Sequence, residues 1–231
     1  MAGVRAKWAA PVEVRRLVRE ARGGLDPWEK DVVGQLARGS RILVVGCGAG
    51  REAVALAERG FRVTGIDFVE PLVHEARRHA TEAGVTATFV ATTAEELADR
   101  TPASFDAILS TAPVYEQIPG RARRGRFLHA LARLAAPGAL IVLCAGWHRD
   151  RGPRRAVVDG VRWLMRRLGV RGVAEPGDWT IYHLSMISDP RTSCFLHAFQ
   201  RPEEIERELR AAGLAGARHP EGPWLLRIPA R

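Results

Sequence analysis

The sequence predicts an α/β fold, a doubly wound and mostly parallel sheet with helices on both faces. Three observations carry this. Strand and helix periodicities alternate from residue 41 to residue 144, a glycine-rich turn follows the first strand, and an aspartate closes the second. The chain has 231 residues, 46% hydrophobic and 26% charged, enough to bury a full core and to exclude a short peptide, a fibre or a disordered tail.

The elements follow in order. Residues 11–22 set Val14, Leu17 and Val18 at helical spacing with arginines on the other faces, a basic amphipathic helix ending at Gly23-Gly24. Asp26-Pro27-Trp28-Glu29 has the acid, proline and glutamate of a capped helix start, and that helix is expected to reach Arg38. Arg41–Val45 is a short β-branched run suited to a buried parallel strand. Helix 51–59, strand 61–66, helix 71–83, strand 86–91, helix 94–99, strand 105–110, helix 121–135 and strand 139–144 come next.

After Trp147 the alternation lapses. Helix 154–168 carries Val157, Val158, Val161, Leu164, Met165 and Leu168 in a stripe expected to be core or lid contact, with Trp163 among the arginines of the other faces. Residues 202–212 start a helix with Pro and Glu and stop it at Gly213, and 217–221 and 223–228 read as two strands around a turn. No internal repeat occurs.

Cys47, Cys144 and Cys194 lie at least fifty residues apart, so they form neither a disulfide framework nor a metal-ligand spacing. No apolar run is long enough to span a membrane and the N-terminus lacks a secretory h-region, so a soluble, cytoplasmic protein with no membrane partner is expected. The formal charge of +9 is local. Residues 121–171 hold thirteen arginines against Asp150 and Asp159, an excess of eleven that leaves the other 180 residues at −2.

The chemistry concentrates at Val44-Val45-Gly46-Cys47-Gly48-Ala49-Gly50-Arg51, a turn between strand and helix where glycines bring backbone N–H groups close to a ligand. The sixth position of the dinucleotide pattern is Arg51 instead of glycine, which argues against a dinucleotide loop. Asp67, seventeen residues beyond Gly50, is placed to accept hydrogen bonds from ribose hydroxyls.

With these residues the chain resembles the class I, Rossmann-like, S-adenosylmethionine-dependent methyltransferases of small-molecule type, over residues 26–145 and again over 195–228. Phe105-Asp106-Ala107-Ile108-Leu109-Ser110 is similar to the family's fourth-strand motif and Leu134–Leu140 to its Pro-Gly turn before strand five. The resemblance implies a seven-stranded sheet of order 3-2-1-4-5-7-6 with an antiparallel seventh strand at 224–228. It further implies one domain made of a helical cap (1–38), a cofactor-binding core (39–146), a lid insert (147–194) and the core's C-terminal part (195–231). S-adenosyl-L-methionine contacts would fall to Gly46, Cys47, Gly48, Ala49, Gly50, Asp67, Phe68, Ser110 and Trp28. Where the family carries Gly-Asp after strand three this chain has Thr93, so adenine would meet the Thr93 hydroxyl or the backbone of Thr93 and Ala94.

Methyl transfer from a sulfonium is an in-line displacement that chiefly needs alignment and exclusion of water, with a base only for an acceptor of high pKa. The loops after strands four and five, the insert and the returning chain offer Tyr115, His148, Tyr182, His183 and His197 as catalytic candidates. Tyr115, Trp147 and Arg121 are candidates for binding the acceptor, and Arg124 or an arginine of the insert is a further partner for an anionic one. No metal is expected. The favoured reading is methyl transfer to a small organic acceptor at O, N or C. The alternatives are an RNA (tRNA) methyltransferase using the Arg-rich segment 121–171, and a non-catalytic nucleoside-binding protein.

Overall fold

The computed structural model describes residues 2–102, 104–111, 113–146, 153–170, 174–181, 194–199, 201–220 and 222–229. Three helices come first: α1 (Ala2–Ala9), α2 (Pro11–Glu20) and α3 (Pro27–Val33). The alternating core runs β1 (Arg41–Val45), α4 (Arg51–Glu58), β2 (Arg62–Asp67), α5 (Glu70–Glu82), β3 (Thr88–Ala91), α6 (Ala94–Arg100), β4 (Phe105–Ser110), α7 (Arg121–Leu134) and β5 (Ala135–Leu143). After it come α8 (Pro153–Arg167), β6 (Asp178–Ile181), β7 (Cys194–His197), α9 (Pro202–Ala211), β8 (Gly216–Arg218) and β9 (Trp224–Arg227).

Seven strands form one sheet in the order β3-β2-β1-β4-β5-β9-β8. β1 to β5 pair in parallel, and β9 returns antiparallel against β5 with Leu143 opposite Trp224. This is the expected order, with β9 as the antiparallel seventh strand. β6 and β7 form a separate antiparallel pair.

The pleat sorts the core. Ile42 and Val44 of β1 join Leu109 and Val142 on the face covered by α3, α4 and α5, whereas Leu43 and Val45 join Ile108 and Ile141 on the face covered by α6, α7 and α9. A strand buried on both faces therefore reads as a continuous apolar run. Helix starts are set by local chemistry. Asp26 caps α3 in a reciprocal box with Glu29, and Thr93 caps α6 with Glu96.

Four expectations change. α1 precedes the first expected helix, and α3 ends at Val33, short of Arg38. β5 begins at Ala135, directly after α7, and its pairing with β4 shifts register between Phe105 and Ala107 of β4. The stripe of α8 is not core. Val157, Val161, Leu164 and Leu168 are exposed, because the helix packs through its polar side. Among the described residues no helix is long and apolar enough to cross a membrane.

Gly65 in β2 faces its register partner Phe89 of β3 with no room for a side chain between them. A Cβ there would meet two ring carbons of buried Phe89 at 2.8 and 2.9 Å and the Cys47 side chain at 3.1 Å. Gly65→Ala should lower stability by about 1–3 kcal/mol through overpacking, read as a reduced urea midpoint; an unchanged midpoint would show that the contact relaxes freely.

Candidate functional site

The site grows from the end of β1. Gly46, Gly48 and Gly50 all take positive φ, and Gly50 starts α4 from φ 92°. Its missing side chain also matters for packing, since a Cβ would stand 3.2 Å from Ala76. Arg51 then reaches sideways. Its guanidinium donates to the Gly24 carbonyl at 2.8 Å, to both oxygens of buried Glu29 at 2.9 and 2.7 Å, and to Glu52 at 2.8 Å. Arg51 therefore joins α3 and the chain before it to the glycine turn, a bidentate pairing that a lysine could not reproduce.

Asp67 ends β2 facing that turn. It accepts the Gly48 N–H at 3.0 Å and the Val69 N–H at 2.9 Å, so the carboxylate is held in place with lone pairs to spare. Burial pushes its pKa up, and the N–H groups of Val69, Gly48 and Phe68 oppose the shift without cancelling it.

A cavity of about 650 Å³ lies over these strand ends, within the range typical of small-molecule sites. Of the cofactor candidates, Gly46, Cys47, Gly48, Ala49, Asp67, Phe68, Thr93 and Ala94 line it. Its roof is α1 and α2, through Val4, Trp8 and Leu17. The roof is anchored at two points. The Trp8 indole N–H donates to Gln117 at 2.7 Å, and the Arg5 guanidinium lies 5.5 Å from the centre of the Phe68 ring.

The far wall comes from the loop after β4 and from α7: Thr111, Pro113, Val114, Gln117, Ile118, Arg123, Arg126 and Phe127. The near wall presents the Asp67 carboxylate with unused lone pairs, and at Gly48 the space a side chain would take is open.

Residues 42–138 match a family model described as a methyltransferase domain. The chain is 33% identical over 193 residues to a ubiquinone biosynthesis O-methyltransferase of Alkalilimnicola ehrlichii, covering 82% of this chain and 68% of that one. The chain belongs to the class I S-adenosylmethionine-dependent methyltransferases. Another similar relative is the ubiquinone biosynthesis O-methyltransferase of Pseudomonas aeruginosa, 31% identical across 76% of this chain and 65% of its own, so the chain spans about two thirds of the length of these relatives.

Solved structures agree on the fold. A methyltransferase from Methanosarcina mazei superposes with a TM-score of 0.68 at 19% identity, covering 90% of this chain and all of the other. The 1,6-didemethyltoxoflavin N1-methyltransferase of Burkholderia thailandensis, solved with its acceptor and S-adenosylhomocysteine, gives 0.61 at 21% identity over 99% and 88% of the two chains. The methyl donor of this methyltransferase is S-adenosylmethionine.

Several expected site residues are placed elsewhere in the methyltransferase. Tyr115 is fully buried, stacks on Phe199 at 5.7 Å and donates its hydroxyl to Glu208 at 2.5 Å. Burial, and then the Glu208 charge, push its pKa far up, so it is no base at neutral pH. His197 is buried with Nδ1 at 2.6 Å from Asp178, away from the cavity wall. Arg121 is exposed at the start of α7, where its backbone N–H meets Glu175.

Among the cofactor candidates, Gly50 shapes the turn without lining the cavity, and Ser110 is buried with no partner for its hydroxyl among the described residues. Trp28 packs beside His219 and the outer core cluster. Thr93 lines the cavity while its hydroxyl accepts the Glu96 N–H to cap α6. His148, Trp147, Tyr182 and His183 lie outside the described residues.

Reading the sequence missed the roof residues Val4 and Trp8 and the wall residues Glu52, Thr111, Gln117, Arg123 and Arg126. The spacing of Val4 and Trp8, one helical turn apart, was the available signal for the roof.

Arg124 is not an acceptor ligand. It is 1% exposed, donates to both oxygens of Glu208 at 2.9 and 2.7 Å, and lies 3.2 Å from Glu175 and 4.0 Å from Asp178. Glu175, Asp178 and His197 are close enough together to hold a metal ion, and the cation in their midst is Arg124. The cluster ties the β6-β7 pair to α7 and α9. Burial alone would raise the Glu208 pKa, but the Arg124 hydrogen bond and charge, with the Tyr115 hydroxyl, bring it below the usual value.

Asp67→Ala should weaken S-adenosylhomocysteine binding by about 1–3 kcal/mol in calorimetry. In the intact protein, affinity should fall as acid protonates Asp67, at a pH above the usual aspartate value; an affinity flat through that range would remove the carboxylate from the site. Glu208→Ala removes the two-oxygen partner of buried Arg124, leaving it Glu175 at 3.2 Å and Asp178 at 4.0 Å, and should cost about 3 kcal/mol of stability. Because the folded Glu208 pKa is depressed, its contribution is present above the unfolded value and lost as pH falls through the folded one. Urea melts across the acid range measure both.

Proposed function

We propose that this methyltransferase moves the methyl group of S-adenosylmethionine to a hydroxyl oxygen of a small acceptor with an apolar body and an anionic group. The observation that carries the reading is one cavity with two chemically different walls. Asp67 and Glu52 lie at the glycine-turn wall, and Arg123 and Arg126 lie on α7 among Trp8, Val114, Ile118 and Phe127. Arg51 and Arg16 also border the cavity but are paired with Glu29 and Glu52, and with Glu13 and Glu20. No carboxylate is paired with Arg123 or Arg126 among the described residues. The anionic acceptor expected at Arg121 or Arg124 therefore shifts to Arg123 and Arg126, one helical turn apart on α7.

Oxygen as the acceptor atom is supported by the O-methyltransferase names of the relatives. No histidine or tyrosine lines the cavity among the described residues. An aromatic hydroxyl beside two guanidinium groups needs no strong base, because the positive charge favours its ionised form. The roof and walls would hold that oxygen in line with the departing sulfur and keep water out.

Adenine recognition falls to Glu95, half-buried on the cavity wall two residues beyond Thr93, as the carboxylate that receives the exocyclic amino group. Glu95→Ala should weaken S-adenosylhomocysteine by about 1 kcal/mol and abolish discrimination against its inosine analogue, which lacks that amino group. Discrimination retained by the variant would sink this role.

The functional test is transfer of a labelled methyl group into separate pools of phenolic acids, neutral phenols, amines and bulk tRNA. Label in the phenolic acids is expected, and paired Arg123→Met and Arg126→Met substitutions should raise KM for that acceptor far more than they change kcat. Label confined to tRNA or amines would overturn the proposal, as would transfer indifferent to both arginines.

A further inference from the structure

The neutral hydrogen-bonding side chains around the cavity are nearly all spent within the protein. Thr111 donates its hydroxyl to Glu52 at 2.5 Å, Thr92 donates to Glu96 at 2.9 Å, the Thr93 hydroxyl accepts the Glu96 N–H, and the Trp8 indole N–H goes to Gln117. Gln117 is different. It is 9% exposed and lines the cavity, and because an indole N–H only donates, the atom that meets Trp8 at 2.7 Å is the amide oxygen. Nε2 takes no partner among the described residues and is not closed off in the interior, so its two N–H groups open on the cavity. The turn that carries the amide is pinned from below. Tyr115 puts its hydroxyl on Glu208 and its ring on Phe199, and the Glu116 carboxylate accepts the Gly146 N–H just after β5. A buried amide nitrogen held still and left unpartnered is costly unless a ligand takes it.

We propose that Gln117 selects oxygen over nitrogen in the acceptor, by donating an Nε2–H to the hydroxyl oxygen that receives the methyl group. The inference rests on the hydroxyl acceptor proposed above and names the side chain that recognises its reacting atom. Gln117 shares the far wall with Thr111, Val114 and Phe127, and with Arg123 and Arg126. A phenolate oxygen carries three lone pairs, so one accepts the amide N–H while another stays free for the methyl carbon. Once the phenolic proton has gone to solvent, an oxygen lone pair forms the O–CH3 bond, and the electron pair of the breaking S–C bond stays on sulfur. A neutral amine has a single lone pair, and a donor that holds it blocks the nucleophile. Orienting an amine instead requires an acceptor for its own N–H groups, and Trp8 turns the Gln117 amide so that it offers the cavity its donors. The two arginines thus read the anionic group and Gln117 reads the atom to be methylated.

A panel of hydroxybenzoic acids, each paired with the aminobenzoic acid of the same geometry, tests this with a labelled methyl donor and the full chain. The parent should label the hydroxy acids. Gln117→Glu still accepts the Trp8 N–H but faces the cavity with an acceptor, and it should lower kcat/KM for the hydroxy acids, relative to their amino counterparts, by about tenfold or more. Since both members of a pair carry the same carboxylate, the added charge cancels from that ratio. S-adenosylhomocysteine affinity should stay as in the parent. If Gln117→Glu impairs folding, Gln117→Met, of similar length and without a donor, should lower the ratio in the same direction. A ratio unchanged in the variants overturns the assignment and leaves the hydroxyl acceptor standing, and a loss of S-adenosylhomocysteine affinity with the ratio kept overturns it by giving Gln117 to the donor. A parent that labels none of the hydroxy acids overturns the acceptor reading itself, and this inference with it.

Discussion

The site depends on Arg51. A glycine turn by itself offers backbone donors at a helix start, and α1–α3 by themselves are short helices with little to hold them. The Arg51 guanidinium connects the two by meeting Glu29, Glu52 and the Gly24 carbonyl at one point. The departure from the dinucleotide pattern thus has a structural cause. A glycine at that position would let the turn pack closely against a dinucleotide's pyrophosphate, whereas the arginine fastens α3 and the chain that joins it to the roof helices. Trp8 on Gln117 and Arg5 over Phe68 complete the closure, and the result is a cavity able to exclude water from a displacement whose main demand is alignment.

The charge of the chain takes a different meaning in three dimensions. Arg124 is consumed by Glu208 and Glu175 inside the fold, Arg162 holds α8 to β6 and Arg166 to Glu175 just before it, and Arg133 pairs with Asp99. Among the described arginines of residues 121–171, Arg123 and Arg126 face the cavity without a carboxylate partner. That pair suits an anionic group on a small acceptor.

The cofactor half of the site was legible in the sequence because it is local. The turn Gly46–Gly50, the acid Asp67 and the cap at Thr93-Ala94 each act within a few residues of their own strand end, and strand order followed from the resemblance. The acceptor half was not, because side-chain partners there are distant in sequence. Nothing near Tyr115 announces that Glu208 takes its hydroxyl, nor anything near His197 that Asp178 holds its ring. Periodicity found α8 and its apolar stripe but could not say which side faces the protein, since an amphipathic helix satisfies the same pattern inward or outward. The arginines at 123 and 126 were hidden in a run of basic residues whose members differ only in burial.

The most direct test of the account is a crystal structure of the chain with S-adenosylhomocysteine. The account predicts the ribose hydroxyls on Asp67, the adenine beside Thr93–Glu95, and the sulfur directed toward the wall of Thr111, Val114 and Phe127 with Trp8 above it. A ligand bound outside this cavity, or bound within it with α1 and α2 displaced and the Arg51–Glu29 pair broken, would contradict it.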